Sequence, residues 1–67
     1  LKEQQEYLVA GLPSVSNVLS RRLLERFKTP KRVFNAKEAQ LIKVPKIGEE
    51  KARKIRTLLD SPYKTEK

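Results

Sequence analysis

The sequence has 67 residues, with 16 Lys and Arg against 8 Asp and Glu, and it contains neither cysteine nor histidine. A chain this short forms one small domain with a limited core, and without cysteine or histidine neither a disulfide nor an ordinary zinc site can stabilise it. The formal charge of +8 favours polyanionic partners, of which nucleic acid is the first candidate and an anionic membrane surface the second.

The first predicted unit, over about residues 3–27, is a helix, a short turn and a second helix. Residues 3–10 have a helical pattern, which Gly11 and Pro13 break. Ser16 is the predicted N-cap of a second helix that ends near Phe27. Apolar side chains recur every fourth residue and predict a core-facing stripe, formed by Val15, Leu19, Leu23 and Phe27.

A connector helix is predicted over about residues 30–35. Thr29 is its expected N-cap, and Pro30 stands at the first helical position, where its missing N–H costs no hydrogen bond. Val33 and Phe34 give this helix an apolar face.

The second predicted unit, over about residues 37–60, repeats the order of the first. In its first helix, over residues 37–43, Ala39 and Ile42 are expected to face inward, and Pro45 and Gly48 form the next turn. The last helix runs from residue 49 to residue 60, with the inward side chains Ala52, Ile55, Leu58 and Leu59.

Ser61 and Pro62 end the last helix and begin a tail over residues 61–67, which is polar after Tyr63 and is expected to be loose there. No stretch has the alternating pattern of a strand. The sequence therefore predicts an all-α fold of about five short helices.

An internal repeat relates the two units at a spacing of 32 residues. Residues 12–16 fall on residues 44–48, and both stretches place a proline second and a β-branched residue fourth. The match continues into the following helices, where Arg21, Arg22, Leu23 and Phe27 fall on Arg53, Lys54, Ile55 and Leu59. Two motifs with matching apolar and basic positions indicate a duplication.

Positive charge is concentrated in and after the second helix of each unit. The simplest alternative is a small helical bundle whose charge only keeps it soluble, but such charge would be spread evenly. A tight turn that opens into a helix exposes unpaired backbone N–H groups at the positive end of the helix dipole, and these groups bind phosphate. Such contacts position DNA with little readout of base sequence.

The two turns and their basic helices resemble the tandem helix-hairpin-helix domain at the C-terminus of XPF-type structure-specific endonucleases, with the archaeal Hef helicase-nucleases nearest. The motifs that carry this resemblance span roughly residues 6–63: Leu12-Pro13-Ser14-Val15-Ser16, Arg21-Arg22-Leu23-Leu24, Val33-Phe34-Asn35-Ala36, Ile47-Gly48-Glu49-Glu50-Lys51-Ala52 and Ser61-Pro62-Tyr63. The resemblance implies a domain that dimerises and helps to place a nuclease on forked, flapped or branched DNA.

The hairpin pattern of the family has two glycines, and this sequence departs from it. Ser14 and Ser16 replace both glycines in the first hairpin, and Lys46 replaces the first glycine in the second hairpin, which keeps Gly48. We therefore expect the second hairpin to bind DNA better. Its candidate residues are Lys46, Ile47, Gly48, Lys51 and Lys54, and those of the first hairpin are Ser14, Ser16, Arg21 and Arg22.

The first unit differs from the second on one helix face. Val18, Leu19 and Leu24 align with Glu50, Lys51 and Arg56. An additional apolar face is either covered by a neighbouring helix of the same chain or buried against a partner. The resemblance implies a second copy or a related family subunit as that partner, with Tyr63 at an aromatic position that packs on it.

Catalysis is not expected in this segment. It has no histidine or cysteine for acid–base or nucleophilic work, a single aspartate, and no glycine-rich nucleotide loop, so we predict no catalytic residues, no metal site and no cofactor. The absence of an initial Met suggests a part of a larger endonuclease or helicase. One alternative is a dimerisation module with degenerate hairpins, and another is a related module of a polymerase, ligase or glycosylase.

No apolar run approaches the roughly 20 residues of a transmembrane helix, and the polar N-terminal residues do not form a signal peptide. We therefore expect no membrane partner and an intracellular location. On the family resemblance, this is the cytoplasm of an archaeon, or the nucleus if the source is eukaryotic.

Overall fold

The computed structural model describes residues 1–65, which contain five helices and no strand. In chain order these are α1 Lys2–Ala10, α2 Asn17–Phe27, α3 Pro30–Asn35, α4 Glu38–Leu41 and α5 Glu49–Asp60. The predicted all-α fold of about five short helices is confirmed. The last two residues of the predicted tail lie outside the described residues.

Side-chain caps begin α2 and α3 as the sequence indicates. The Ser16 hydroxyl accepts a hydrogen bond from the Leu19 N–H at 3.2 Å. The Thr29 hydroxyl accepts one from the Arg32 N–H at 3.1 Å, and Pro30 opens α3. Both caps satisfy an N–H that has no partner within its helix.

Helix α4 is shorter than predicted, because the chain leaves the helix after Leu41. The Val44 N–H donates to the Leu41 carbonyl at 3.1 Å, which closes a turn where the predicted helix would have continued to residue 43. At the start of α4, the Gln40 side-chain oxygen accepts from the Lys37 N–H at 2.9 Å.

The core is a single cluster to which both units contribute equivalent positions. Residues 32 apart along the chain are buried together, which shows that the repeat seen in the sequence is also a repeat of packing. The buried pairs are Val9 with Leu41, Leu12 with Val44, Val15 with Ile47, Ser20 with Ala52, and Leu23 with Ile55. Since neither unit has a core of its own, the two are expected to fold together.

The prediction of an inward-facing side chain is wrong for three residues. Ala39 and Ile42 are exposed, because the single turn of α4 directs Leu41 into the core instead. Leu58 is 56% exposed, since Ile55 already fills the core at this level of α5. The predicted core-facing stripe is confirmed: Val15, Leu19 and Leu23 are buried, and Phe27 packs against the core as a partly buried residue.

Two side chains join helices through backbone carbonyls. The fully buried Ser20 donates from its hydroxyl to the Glu6 carbonyl at 2.6 Å, which ties α2 to α1. The Arg56 guanidinium donates to the carbonyls of Phe34 and Ala36 at the end of α3, the latter at 3.0 Å. Arg56 thereby fixes α5 to the connector and satisfies carbonyls that the end of α3 leaves unpaired.

Candidate nucleic-acid interface

The two hairpin turns share one unusual backbone conformation. Ser14 has a φ of 61° and Lys46 a φ of 75°, both in the left-handed region. Positive φ costs roughly 1–2 kcal/mol for a residue with a Cβ, and it explains why hairpins of the resembled pattern carry glycine at this position. The two turns thus have the same form although their residues differ.

Matching hydrogen bonds close the two turns. The Val15 N–H donates to the Leu12 carbonyl at 3.2 Å, and the Ile47 N–H donates to the Val44 carbonyl at 3.1 Å. Ile47 is 3% exposed, so its side chain belongs to the core and its N–H is already used. Ile47 thus holds the turn in place and has little free surface, and its contact with DNA stays a prediction.

The second hairpin leaves the beginning of α5 open. Gly48 is the N-cap and supplies no side-chain hydrogen bond, and a Cβ added there would meet nothing within 4 Å. The N–H groups in the first turn of α5 have no carbonyl before them in the helix, so they can receive an anion. Gly48 thus leaves space for an oxygen of a ligand at this terminus.

Two lysines, Lys46 and Lys51, lie on either side of Gly48 along the chain. The Lys51 Nζ donates to the Lys46 carbonyl at 3.3 Å, which holds its charge over the turn. Lys46 is exposed on the turn itself. The acidic Glu49 and Glu50 stand in the same first turn, and Glu50 is paired with the Lys54 Nζ at 3.4 Å. The local charge at the opening is therefore carried by Lys46 and Lys51, with Glu49 opposing them.

The first hairpin is less suited to an anion. Its N-cap hydroxyl, on Ser16, already accepts from the Leu19 N–H, so one of the groups that would bind phosphate is occupied. Leu19 stands where the second unit has Lys51, and it is 6% exposed. The first hairpin therefore offers the exposed Ser14 but no ammonium group over its turn.

The other predicted cations have different surroundings. Lys54 is paired with Glu50, and the Arg21 Nε lies 3.5 Å from a carboxylate oxygen of Glu6, on the side of α2 that faces α1. Exposed pairs of this kind contribute about 0–1 kcal/mol and exchange readily with other anions. Within residues 1–65, Arg22 forms no ion pair within 4.0 Å, and it lines a groove together with Pro45 of the second hairpin.

The predicted apolar face on α2 is smaller than expected. Leu19 is 6% exposed and belongs to the core cluster, so neighbouring elements of the same chain cover it and leave little of its surface for a partner. Leu24 is partly buried against the core. Val18 is 57% exposed and Tyr63 is 93% exposed, and these two side chains remain available to a partner.

Sequence reasoning missed two arginines. From the sequence, Arg56 is named only as the residue aligned with Leu24, although its guanidinium caps α3, and Arg26, which lines a groove together with Pro45, is not named. The alignment of the repeats could have indicated a special role for Arg56, because an arginine stands there where the first unit has Leu24. No local pattern indicates the second, because its neighbour is 19 residues away.

Among residues 1–65, no three acidic side chains lie close enough together to hold a metal ion. In that same stretch, no helix has both the length and the apolar character needed to cross a membrane.

Residues 7–59 match the family described as the SAM-like helix-hairpin-helix tandem. The fold and the paired hairpins thus define a tandem helix-hairpin-helix protein, and the chain belongs to this family. The resemblance to XPF-type nucleases, with archaeal helicase relatives, is also confirmed by the similar proteins that follow.

XPF from Aeropyrum pernix superposes with a TM-score of 0.89 at 38% sequence identity, covering 94% of this chain and 32% of that protein. XPF from Aeropyrum pernix in complex with DNA superposes with a TM-score of 0.88 at 36% identity over the same shares. A Methanocaldococcus jannaschii protein named as an ATP-dependent RNA helicase is 51% identical over 63 residues, which are 94% of this chain and 8% of that protein. The chain therefore spans a minor part of the proteins that it matches.

Proposed function

We propose that this domain binds the sugar-phosphate backbone of DNA without sequence preference, within a helicase-nuclease that acts on forked or branched DNA. The observation that carries the proposal is the open end of α5, where Gly48 leaves the N–H groups accessible between Lys46 and Lys51. A phosphate placed there would accept hydrogen bonds from the backbone and pair with both ammonium groups. The relative solved with DNA supports DNA as the polyanion.

The proposal assigns unequal roles to the two hairpins. The second hairpin binds a phosphate through the α5 terminus, whereas the first contributes Ser14 and the shape of its turn. Phosphate contacts fix the position of the DNA and carry no base code. Unwinding and cleavage belong, in this proposal, to other domains of the longer protein.

Binding to a forked DNA at several salt concentrations tests the proposed site. Replacing Lys46 and Lys51 with Ala should weaken binding equally for unrelated sequences, and the salt slope should fall by about one unit for each lost contact. Lys2→Ala with Lys37→Ala removes the same charge from exposed positions and serves as the control. Equal affinity and slope for the two double variants would place the site elsewhere.

We also propose that the domain pairs with a second copy or with a related subunit. The exposed Val18 and Tyr63 support this, because an additional buried surface would stabilise a chain with such a small core. The rival hypothesis is a dimerisation module with degenerate hairpins and little DNA binding of its own. It predicts dimers that show no salt-sensitive binding to branched DNA, which one binding titration distinguishes from the present proposal. With DNA as the proposed partner, the proposed location is intracellular, in the cytoplasm if the source is an archaeon and in the nucleus if it is a eukaryote.

A further inference from the structure

Each hairpin borders a groove formed with the second helix of the other unit. Pro45 of the second hairpin and α2 line one groove, together with Arg22, Glu25 and Arg26. Pro13 of the first hairpin and α5 line the other, together with Lys54, Thr57 and Leu58. The two sets are related by the spacing of the repeat, so duplication has produced the same groove twice.

The side chains in the two grooves are not equivalent in chemistry. Arg26 stands where the other groove has Leu58, and Glu25 where it has Thr57. The groove beside Pro45 therefore contains two guanidinium groups and one carboxylate, with Phe27 and Val44 as apolar lining. The groove beside Pro13 also contains two cations, Arg53 and Lys54, but both are paired, with Glu38 and Glu50, and Leu58, which is 56% exposed, adds an apolar wall.

A second substitution leaves the arginines of the first groove available. Lys54 is paired with Glu50, four residues before it, at 3.4 Å. The corresponding residue before Arg22 is Val18, which cannot pair with it. Within residues 1–65, neither Arg22 nor Arg26 has a carboxylate within 4.0 Å, Glu25 included.

From these observations we infer that Arg22 and Arg26 of the first unit bind the DNA backbone next to the phosphate held by the second hairpin. The inference rests on the proposed function and adds to it a site that crosses from one unit to the other. Residues four apart on a helix lie on one face about 6 Å apart along the axis, so both guanidinium groups can reach the same strand. Guanidinium binds phosphate through two parallel hydrogen bonds, which makes arginine suited to this contact.

This assignment changes the role expected of Arg22. On sequence it belongs to the first hairpin, because it follows that hairpin along the chain. In the structure it borders Pro45, one residue before Lys46. The second hairpin is thus extended by cations of α2 that have no carboxylate partner within residues 1–65, whereas the cations of α5 beside the first hairpin, Arg53 and Lys54, are paired with Glu38 and Glu50.

Salt-dependent binding of the protein to a forked DNA tests the inference. Arg22→Gln with Arg26→Gln should lower affinity by about tenfold and reduce the salt slope by about 1.8, the value for two phosphate contacts. Lys31→Gln with Arg32→Gln removes the same charge from exposed positions of α3 and should leave most of the slope. A groove variant indistinguishable from this control overturns the inference.

Two further variants separate the possible failures. Arg26 is exposed, so Arg26→Gln alone should keep the fold, which a urea titration checks, and should reduce the slope by about 0.9. Lys46→Ala with Lys51→Ala, measured beside it, tests the hairpin itself. Weakened binding in the hairpin variant together with unchanged binding in the arginine variants overturns only the inference. Unchanged binding in the hairpin variant, or no DNA binding by the unaltered protein, contradicts the proposed function.

Discussion

Ser14 and Lys46 occupy backbone positions that glycine would fill at lower cost. Their φ values of 61° and 75° are set by the closed turn and not by their side chains, since two unrelated residues adopt the same conformation. At position 46, the proposed contact of the ammonium group with phosphate explains why a lysine is present instead of glycine. At Ser14 no contact made by the side chain explains the choice.

Ser14→Gly should therefore stabilise the protein. Relief of the left-handed strain exceeds the entropy that glycine adds to the unfolded chain, so the free energy of unfolding should rise by up to about 1 kcal/mol. Urea denaturation measures this. Ser14→Ala keeps the Cβ and removes only the hydroxyl, so it should give no gain. A glycine variant no more stable than the alanine variant would contradict the explanation.

The positive charge of Arg56 would suggest DNA binding, but its contacts give it a structural role. Its guanidinium donates to Phe34 and Ala36 and pairs with Asp60, so it is part of the structure rather than a candidate for DNA. Arg56→Met keeps most of the side-chain length but loses these bonds, and it should lower the free energy of unfolding by about 1–3 kcal/mol. Thermal or urea unfolding checks this, with Arg53→Met, an exposed residue of the same helix, as the control. Equal losses in the two variants would contradict the role.

Comparing the two repeats shows which aligned positions differ in residue type, but it does not show whether a side chain faces the core or the solvent. Leu19 and Lys51 show this. The two residues are aligned in the repeat, yet Leu19 is buried in the core whereas Lys51 lies over its turn. The sequence supports both a core position and an exposed face for Leu19, because the stripe on α2 is broad. Only the packing of the other helices decides between them.

Among the elements, the beginnings of α2 and α5 are the clearest difference between the two units. Ser16 caps α2 from within the chain, and Gly48 leaves α5 uncapped. A capped terminus is more stable, and an uncapped one retains a free donor for a ligand. The second unit thus gives up a small amount of helix stability at the place where binding is proposed.

Gly48→Ser should cap α5 and remove a free N–H donor from the proposed phosphate site. The new hydroxyl can accept from the Lys51 N–H, as Ser16 does from Leu19, and no neighbouring atom obstructs its Cβ. We expect a change in the free energy of unfolding of only a few tenths of a kcal/mol, because glycine and serine differ little as caps. DNA affinity should fall, as measured by a fork titration. Gly48→Ala adds the Cβ without the acceptor, so equal affinities of the two variants would show that the cap is not responsible.

Helix ends were predictable where the sequence contains a stop signal. The predicted and observed bounds of α5 coincide, because Gly48 precedes the helix and Ser61 and Pro62 follow it. The end of α4 was predicted two residues too late, since nothing between Leu41 and Pro45 opposes a helix locally. The hydrogen bond from Val44 to Leu41 that ends it belongs to the hairpin, and a propensity argument does not include it.

For the whole molecule, the small core makes association a measurable expectation. If the exposed Val18 and Tyr63 are buried between two copies, folding and pairing are coupled, and the Tm should rise with protein concentration. Val18→Gln should shift sedimentation equilibrium toward monomer while leaving the core unchanged. Because each copy carries a charge of +8, moderate salt should favour the dimer. A protein that remains monomeric at high micromolar concentration, with a constant Tm, would refute this.

The single core shared by both units has a mechanical consequence. Because residues of both units pack into one cluster, we expect the two turns to move together and to keep nearly the same separation when a ligand binds. A DNA molecule that touches both turns must bring two phosphates to that fixed separation. A stiff duplex either has this spacing or is rejected, whereas a flexible junction bends to reach it and loses conformational freedom. Selection among DNA shapes would then arise from the elasticity of the DNA itself, without any contact to a base.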